Sequence, residues 1–303
     1  MKVTVFGGSG FIGKNLVESL LKDMEVQEVS LRDSFWKNII DAKSEVFINL
    51  IGKAHDHKGS ATQKDYYFAN VELAQELFEI FKKSEAKLFI HISSLAALEE
   101  FESIKPLEEK DICNPTSFYG KSKRESEEWL LKQEIENDKK IIIIRLPMVH
   151  GPGDKGNLRL LYNMISKGIP YILASFNNER SFISIDNFNF YIKKIIEKNE
   201  NLDNGIYHIS DNETVATKDI IEVIRKIENI KTPNLSLPRF IIKGIARIGD
   251  FVPIPINTKK FKKLTNNLLV SNQRIKAALE IKSLPLTAEE GLEKTLRSFK
   301  KNK

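Results

Sequence analysis

A glycine-rich loop links the first apolar run of this chain to its first helical pattern. The apolar run covers residues 2–6, the loop holds Gly7, Gly10 and Gly13, and the helical pattern starts at residue 11. Glycines at this spacing let the backbone turn tightly, let a pyrophosphate approach closely and let the helix pack on the strand. The free N–H groups at the helix N-terminus would bind phosphate oxygens. The sequence therefore predicts a dinucleotide site at its start.

The first half of the chain continues this alternation of apolar runs and helical patterns. We expect strands at residues 2–6, 26–31, 46–51, 88–92 and 140–146, and helices at residues 11–22, 70–83 and 119–137. Continuous apolar strands separated by helices are typical of a parallel sheet that is buried on both faces. The sequence thus predicts an α/β fold with a Rossmann-type doubly wound parallel sheet.

The pattern becomes irregular beyond Gly151. We expect helices at residues 158–167, 186–199, 217–227 and 287–299, and a strand at residues 205–209 that rejoins the sheet. These patterns predict a dinucleotide-binding domain of residues 1–150, to which residues 182–210 partly return, and a smaller C-terminal lobe of residues 151–181 and 211–303. The apolar stretch at residues 240–256 is expected to pack inside this lobe through Ile241, Ile242, Ile245, Ile248 and Phe251. The alternative, together with the charge of +6, is that this stretch contacts a lipid or nucleic-acid partner.

The composition excludes several classes of protein. A single cysteine, Cys113, rules out internal disulfides and points to a reducing compartment. No apolar run is long enough to cross a bilayer, so we expect a cytoplasmic protein. The net charge of +6 comes with lysines spread over most segments, so we expect no nucleic-acid partner. His55 and His57 lack further ligands, so we expect no metal and place both at the edge of the substrate cleft.

The end of the second predicted strand bears on the choice of cofactor. An acidic residue at this place binds the adenosine ribose 2′-hydroxyl, whereas an arginine accommodates a 2′-phosphate. Arg32 occupies the expected position and Asp33 follows it. Arg32 favours NADP(H). A surface pair between these two residues would carry no selectivity, and NAD(H) stays open.

Tyr119 and Lys123 lie four residues apart, on one face of a predicted helix. Ser94 ends a predicted strand, and the carboxyl ends of strands form the ligand crevice of doubly wound sheets. A free phenol has a pKa of about 10, which a neighbouring ammonium and an oxidised nicotinamide would lower. These three residues are therefore candidates for proton transfer coupled to hydride transfer.

Several further motifs accompany this set. They are Asn49-Leu-Ile-Gly52, Asn70, Ser93-Ser94, Arg145-Leu-Pro-Met-Val-His-Gly-Pro-Gly153 and Arg180-Ser-Phe-Ile-Ser-Ile-Asp186. Together with the glycine loop and Tyr119-x-x-x-Lys123, they resemble the extended short-chain dehydrogenase/reductases, the NAD(P)-dependent nucleotide-sugar epimerase/dehydratase family. The resemblance covers nearly the whole chain. Gly151-Pro-Gly-Asp-Lys-Gly-Asn157 looks most like the UDP-sugar 4-epimerase and 4-ketoreductase branch.

The resemblance implies a role for each matching residue. Tyr119 would be the acid/base, Lys123 would hold the ribose and tune Tyr119, and Ser94 would bind the substrate oxygen. Ser93 would support the strand end. The cofactor would be held by the glycine loop (Gly7, Gly10, Gly13), the backbone of Phe11 and Ile12, and Arg32, Leu50, Ile51, Gly52, Asn70, Ser93, Pro147 and Val149.

The substrate side is implied by two matching positions, Asn157 and Arg180. In relatives these positions hold the phosphates of the nucleotide sugar, and a guanidinium fork suits an oxyanion well. For Arg180 the alternative is a surface salt bridge. The partner would be a UDP-hexose, and relatives pair as homodimers through the helices that correspond to residues 70–83 and 119–137. Core packing explains the apolar residues of those helices equally well.

Two reactions at carbon 4 of a UDP-hexose stay open. Arg32 favours a reductase that uses NADPH on a 4-keto sugar, and the alternative is a 4-epimerase that keeps NAD bound. Leu95 and Ala96 stand where the family's dehydratases carry an acidic pair, so we expect no dehydration. A non-catalytic cofactor-sensing or scaffold protein of the same fold is a third reading.

Overall fold

A computed structural model describes residues 1–54, 60–171, 173, 176–231, 237–252 and 257–301. Its central strands are β1 (Lys2–Phe6), β2 (Glu25–Val29), β3 (Val46–Asn49), β4 (Leu88–Ser94), β5 (Lys140–Leu146) and β9 (Gly205–His208). Within the described residues these six form one parallel sheet in the order β2-β1-β3-β4-β5-β9. The strand order changes direction at β1, and doubly wound sheets bind their ligands in the crevice at such a point.

Helices cover both faces of this sheet. On one face α1 (Phe11–Leu20) and α6 (Ile185–Glu197) pack with the strands through Leu16, Leu20, Phe188 and Tyr191. On the other face α3 (Leu73–Lys83) and α4 (Phe118–Leu131) contribute Leu77, Phe78, Phe81 and Leu130 to a largely aromatic cluster. The prediction of a Rossmann-type doubly wound α/β fold is confirmed.

The apolar sequence of β5 explains why it lies inside the sheet. Ile141, Ile142, Ile143 and Ile144 are buried, and they alternate between the two clusters on opposite faces. A strand covered on both sides needs apolar residues at every position, because successive side chains point to opposite faces. β9 pairs beside β5, so residues 205–208 rejoin the sheet as the sequence predicts.

The ends of several predicted elements are shifted. β2 ends at Val29, β3 ends at Asn49, and α4 ends at Leu131, after which the chain packs Ile135 against the aromatic cluster. The helix predicted from residue 70 begins earlier, as α2 (Gln63–Tyr67), and reaches α3 through a π-helical turn at Phe68–Glu72. A side-chain capping box at Thr62 and Asp65 fixes that earlier start.

A second apolar cluster lies outside the sheet. It is built from α5 (Asn157–Ile165), α7 (Thr217–Glu228), α8 (Arg239–Ile248), α9 (Thr258–Thr265) and α11 (Ala288–Lys301). Short strands join it, namely β6 (Met148–His150) with β8 (Phe182–Ser184), and β7 (Glu179–Arg180) with β10 (Val215–Ala216). The helix α10 (Gln273–Ala278) was not predicted, because six residues are too few to show a helical period. The division of the chain at residue 150 stays a prediction.

The expectation that residues 240–256 pack inside the lobe is wrong in part. Ile242 is fully buried and Ile245 is half-buried, but Ile241, Ile248 and Phe251 are exposed. The reason is geometric, since α8 has apolar residues around most of its circumference and contacts the lobe with one face only. Residues 253–256 lie outside the described residues.

The predicted dimer helices bury most of their apolar residues within the chain itself. Leu77, Phe81 and Leu130 have no exposed surface, and Trp129 is half-buried against Phe78. Core packing therefore accounts for these residues, and the homodimer stays a prediction.

Candidate active site

The glycine loop occupies the carboxyl end of β1, beside the point where the strand order changes. Gly7 has a φ of +88°, which a residue with a side chain rarely adopts, and its N–H donates to the carbonyl of Val29 at 3.4 Å. A Cβ at Gly13 would lie 2.7 Å from the Cα of Gly8 and closer still to the carbonyl oxygen of Gly7. The loop thus packs so tightly on α1 that only glycine fits at residue 13.

The N-terminus of α1 faces this loop without a capping side chain. Gly10 is the N-cap residue and makes no side-chain hydrogen bond, and the first turn contains no acidic residue. The N–H groups of Phe11 and Ile12 are therefore not satisfied by a local cap, which suits the binding of an anion. This tight cradle fits the pyrophosphate of a dinucleotide.

The two loops at the strand-order change touch each other. A Cβ at Gly7 would lie 3.2 Å from a side-chain carbon of Ile51, and the N–H of Leu50 donates to the carbonyl of Phe6. Ile51 in turn is held by the side chain of Asn49, which accepts its N–H at 2.9 Å. The predicted adenosine-side residues therefore lie next to the glycine loop.

The three residues that follow β2 include an arginine but no acidic residue. Ser30, Leu31 and Arg32 follow Val29, and Arg32 is exposed. Asp33 instead accepts the N–H of Phe35 at 2.9 Å, and no ion pair between Arg32 and Asp33 forms among the described residues. The surface-pair reading of Arg32 is not supported by this arrangement.

Glu28 is a residue near the cofactor site that the sequence analysis did not single out. A Cβ at Gly8 would lie 3.0 Å from the carboxyl carbon of Glu28. The carboxylate therefore lies against the glycine loop at Gly8. The signal was available, because Glu28 is an acid within the predicted strand of residues 26–31, beside the glycine loop of the neighbouring strand.

The serine and tyrosine of the predicted site meet where α4 begins. Ser94 is the last residue of β4 and Tyr119 is the second residue of α4, and the hydroxyl of Ser94 lies close enough to the phenol to lower its pKa. Gly120 makes this approach feasible, since a Cβ there would collide with the carbonyl of Ala96 in the turn after Ser94. Ser117 caps α4 by accepting the N–H of Gly120 at 3.0 Å.

The electrostatics of Tyr119 differ from the expectation. Its burial raises the pKa of the phenol above the usual 10, and the charge of Glu100 and the hydroxyl of Tyr66 act in the same direction. The hydroxyl of Ser94 acts in the opposite direction and lowers the pKa. Lys123 is not among the groups that shift the pKa of this phenol.

Lys123 is buried with its ammonium group at the carboxyl end of β4. Its Nζ donates to the carbonyl of Ile92 at 2.8 Å, and burial lowers the pKa of the lysine to about 8, against the opposing charge of Glu127. A Cβ at Gly52 would lie 3.0 Å from this Nζ and 2.9 Å from the amide oxygen of Asn70. Glycine at position 52 thus lets the backbone lie directly against the ends of Lys123 and Asn70.

Asn70 lies in the π-helical turn and joins two parts of the site. Its amide donates to the hydroxyl of Ser122 on α4 at 2.8 Å and to the carbonyl of Lys53 at 3.2 Å. Its amide oxygen accepts the N–H of Lys53 at 2.8 Å. Single π-helical turns are frequent at functional sites. Here the turn aims Asn70 at the loop after β3, so a cofactor contact would come from a residue that also positions that loop.

A buried ion pair lies behind the catalytic strand end. Ser93 donates to Glu127 at 2.6 Å, and Glu127 binds the guanidinium of Arg145 at 2.7 and 2.9 Å. The hydroxyl of Ser93 is thus engaged in supporting the strand end, so a cofactor contact would come from its backbone. Sequence reasoning missed Glu127. Arg145 gave the signal, as a cation at the end of an apolar strand that needs a buried partner.

The nicotinamide side is formed by the segment after β5. Pro147 follows that strand directly, and Val149 in β6 packs against the apolar cluster that also contains part of Phe11 and Ile12. Gly151 continues this segment, and a Cβ there would lie 3.4 Å from the ring of Phe11. The loop that leads to α5 therefore runs beside the start of α1.

The predicted substrate residues lie on elements outside the sheet. Asn157 is exposed at the first position of α5, and Arg180 is half-buried in β7. Arg180 donates to the carbonyl of Asn266 at 3.3 Å, and burial lowers the pKa of its guanidinium to about 10. Among the described residues it forms no ion pair, in contrast to the surface salt-bridge alternative. A partly buried cation without a carboxylate is available for an anionic ligand.

The structure brings together only some of the site residues that the sequence predicts. Ser94, Tyr119 and Lys123 lie at one strand end, whereas Asn157 and Arg180 lie on separate elements of the second cluster. His55 and His57 lie outside the described residues. His150, to which no role was assigned, is buried with Nδ1 2.9 Å from the hydroxyl of Thr295. Among the described residues no group of three His, Cys, Asp or Glu side chains could hold a metal ion.

Comparisons with known proteins identify the family and similar folds. The sequence model of the NAD dependent epimerase/dehydratase family matches residues 3–210. A UDP-glucose 4-epimerase from Vibrio cholerae is 28% identical over 98% of this chain and 95% of its own length. A solved UDP-glucose 4-epimerase from Thermotoga maritima, with UDP-glucose, superposes with a TM-score of 0.79 at 20% identity over 100% of this chain and 99% of its own. A UDP-glucuronic acid 4-epimerase from Bacillus cereus, in complex with NAD, gives 0.76 at 19% identity over 99% of both chains.

Proposed function

Because the chain belongs to the NAD-dependent epimerase/dehydratase family, we propose that it acts at carbon 4 of a UDP-hexose as an NADPH-dependent reductase of a 4-keto sugar. The observation that carries this proposal is the juxtaposition of Ser94 and Tyr119, with the buried Lys123 on the next turn of the same helix. The arrangement offers a proton and a hydrogen-bond donor at one substrate oxygen, with the Lys123 ammonium against Gly52.

The bound dinucleotide supplies the hydride in this reaction. Ser94 holds the oxygen at carbon 4 of the sugar, and Tyr119 gives that oxygen a proton as carbon 4 receives the hydride. Lys123 binds the ribose next to Gly52 and, when so placed, brings a positive charge toward the phenol. The N–H groups of Phe11 and Ile12 bind the pyrophosphate. The tight glycine cradle is the observation that supports this mode of binding.

Tyr119 can serve as the proton donor of the reduction, because burial raises the pKa of its phenol and the group is protonated near neutral pH. In an epimerase the same phenol would first act as a base, and the oxidised nicotinamide would lower its pKa.

The residues after Ser94 argue against dehydration. Leu95 and Ala96 form the short 3₁₀ turn that follows β4, and Leu95 is buried. Neither side chain can accept or donate a proton. The carboxylate and acid needed to remove water from the sugar are therefore missing at this place.

The cofactor proposed is NADPH. The support is Arg32, which is exposed after β2 and has no acidic neighbour before it in that turn. A guanidinium there can bind a 2′-phosphate, whereas an NAD enzyme uses an acid to bind the 2′-hydroxyl. Asn157 and Arg180 are proposed to bind the diphosphate of the substrate, and the support is that Arg180 is partly buried without a carboxylate partner.

The second candidate is a UDP-hexose 4-epimerase with tightly bound NAD. Similarity over almost the full length to a UDP-glucose 4-epimerase favours it, and the same three residues would serve it. In that reaction the hydride returns to the opposite face of the sugar, so the cofactor is regenerated in place.

The experiment that separates these candidates is to denature the purified protein and identify any nucleotide that it releases. NADPH and NADH are then added to the empty fraction, and the rise in melting temperature is measured. The reductase predicts an empty site that NADPH stabilises more than NADH does. Stoichiometric NAD that survives purification would instead support the epimerase, and binding of neither nucleotide would leave a non-catalytic protein.

A further inference from the structure

An exposed apolar surface lies on the second cluster, away from the catalytic strand ends. It consists of five side chains on α8 and the turn after it, which we call the α8 patch: Phe240, Ile241, Ile248, Phe251 and Val252. Phe251 is 92% exposed and Phe240 is 75% exposed. Single exposed apolar residues are ordinary, but such a group marks an interaction surface.

The geometry of α8 explains how this patch arises. Ile242 and Ala246 fix one face of the helix in the apolar cluster. Successive residues are rotated by about 100°, so Phe240, Gly244 and Ile248 follow one another along the opposite face. A Cβ at Gly244 would meet nothing within 4 Å. The outward face is therefore open and apolar, on a helix that is anchored by its inward face.

The net charge of the chain is concentrated around the same helix. Residues 238–265 contain seven Lys or Arg and one acid, Asp250, so they account for the whole net charge of +6. Lys243 and Arg247 are exposed on α8, and Lys262 and Lys263 are exposed on α9. Lysines occur in most segments, as expected, but outside residues 238–265 acidic residues balance the basic ones.

We propose that the α8 patch docks on the surface of a bilayer that contains anionic phospholipids. Aromatic and aliphatic side chains insert at the boundary between headgroups and acyl chains, while lysines and arginines beside them are attracted to anionic headgroups. No helix of the described residues is long and apolar enough to cross a membrane, so the association is peripheral. Because the inward face of α8 is part of the apolar cluster, docking would hold the whole cluster at the membrane.

Two other partners fit the same surface less well. A second copy of the chain would bring two strongly basic segments together, which costs electrostatic energy. A nucleic acid would match the charge, but Ile248 and Val252 offer nothing to phosphates or base edges. An anionic bilayer complements the charge and the apolar side chains together.

The test is flotation of the full chain with vesicles of phosphatidylcholine alone or with about one-third phosphatidylglycerol. We expect the protein to float with the anionic vesicles and to remain behind with the neutral ones. The Phe240→Ser/Phe251→Ser variant should bind anionic vesicles roughly tenfold more weakly or worse, through the loss of two inserted rings. Lys243→Gln/Arg247→Gln should lose roughly thirtyfold, at about 1 kcal/mol per charge.

A matched control replaces two apolar residues outside the patch, in the variant Ile104→Ser/Ile112→Ser. These side chains are 104% and 94% exposed, so the variant should float like the unaltered chain. The proposal is overturned if the unaltered chain does not float with anionic vesicles, or if the control loses as much binding as the patch variant. Dimerisation, or binding to duplex DNA, that the Phe240→Ser/Phe251→Ser variant abolishes would equally overturn it, since another partner would then cover the patch.

Discussion

Glu127 of α4 and Arg145 of β5 form an ion pair in which neither side chain has any exposed surface. Glu127 also accepts a hydrogen bond from the hydroxyl of Ser93, next to the catalytic Ser94. Its negative charge favours the protonated form of Lys123. One carboxylate therefore links the strand that carries the serine, the helix that carries Tyr119 and Lys123, and the strand that leads to Pro147.

Removing the charge of Glu127 is expected to destabilise the fold strongly. Glu127→Gln leaves the guanidinium of Arg145 buried without an anion, which costs about 3–5 kcal/mol. Glu128→Gln is the matched control, because Glu128 is half-exposed and its pair with Arg124 contributes about 1 kcal/mol or less. Urea unfolding of the two variants measures the difference. Equal midpoints would contradict the account of this pair.

Adding a methyl group at Gly13 is expected to disrupt the cradle for the pyrophosphate. A Cβ there collides with the backbone of Gly7 and Gly8, which cannot move without opening the loop. Gly13→Ala should weaken dinucleotide binding by roughly tenfold or more, since positioned N–H groups are lost. Gly244→Ala serves as the control, because its Cβ would point into open space. Calorimetric titration measures the affinity of each variant for NADPH. A Gly13→Ala variant that binds NADPH as tightly as the unaltered chain would contradict this role of the cradle.

Acid is expected to destabilise the protein through three buried histidines. Burial lowers the pKa of His91 well below its usual value, that of His150 to about 4 and that of His208 to about 3. An unfolded histidine has a pKa of about 6.5, so below that pH the unfolded chain binds more protons than the folded one. Stability therefore falls as the pH drops from 6.5 to about 4, by roughly 1.4 kcal/mol per pH unit for each histidine.

One carboxyl group acts in the opposite sense. Burial raises the pKa of Asp211 to about 6, so the folded state takes up its proton first and gains stability as the pH falls below 6. The buried histidines together change the free energy of unfolding by more than this single carboxyl group does. His208→Asn keeps a donor for the carbonyl of Leu107 but cannot become protonated. The stability of this variant should therefore fall less steeply as the pH decreases. Thermal melts between pH 4 and 7 check this, and identical slopes would refute it.

Loss of the Tyr119 hydroxyl is expected to abolish turnover without loss of the cofactor. Tyr119→Phe removes the proton donor, which contributes roughly 100- to 10,000-fold in rate. Affinity for NADPH should change little, since Lys123 and the glycine loop remain. Tyr66→Phe is the control, because Tyr66 is a second phenol whose ring centre lies 6.5 Å from that of Tyr119. Full activity of Tyr119→Phe would show that the mechanism is wrong.

Local sequence was enough to predict the sheet and the start of the site. The glycine loop, the apolar strands and the four-residue spacing of Tyr119 and Lys123 are all short-range signals. The family resemblance added the strand-end positions of Ser94 and Pro147. These features need no knowledge of which side chain packs on which.

Other features depend on contacts between distant parts of the chain. Glu127 meets Arg145 across 18 residues, and Glu28 reaches Gly8 from the neighbouring strand. The position of the Lys123 ammonium follows from a backbone carbonyl of β4, which is far from α4 in the sequence. The outward face of α8 was missed for a related reason, because a helix that is apolar over most of its circumference does not reveal which part of it is covered.

The central claim is that Tyr119, Ser94 and Lys123 serve a hydride transfer from NADPH to carbon 4 of a UDP-4-keto-hexose. The most direct measurement uses NADPH deuterated at the position of the transferred hydride, with the product sugar analysed by NMR. We expect one deuterium atom at carbon 4 of the product for each NADPH consumed, and no deuterated product with Tyr119→Phe. A sugar that is inverted at carbon 4 without deuterium, or NADPH that is not consumed, would contradict it.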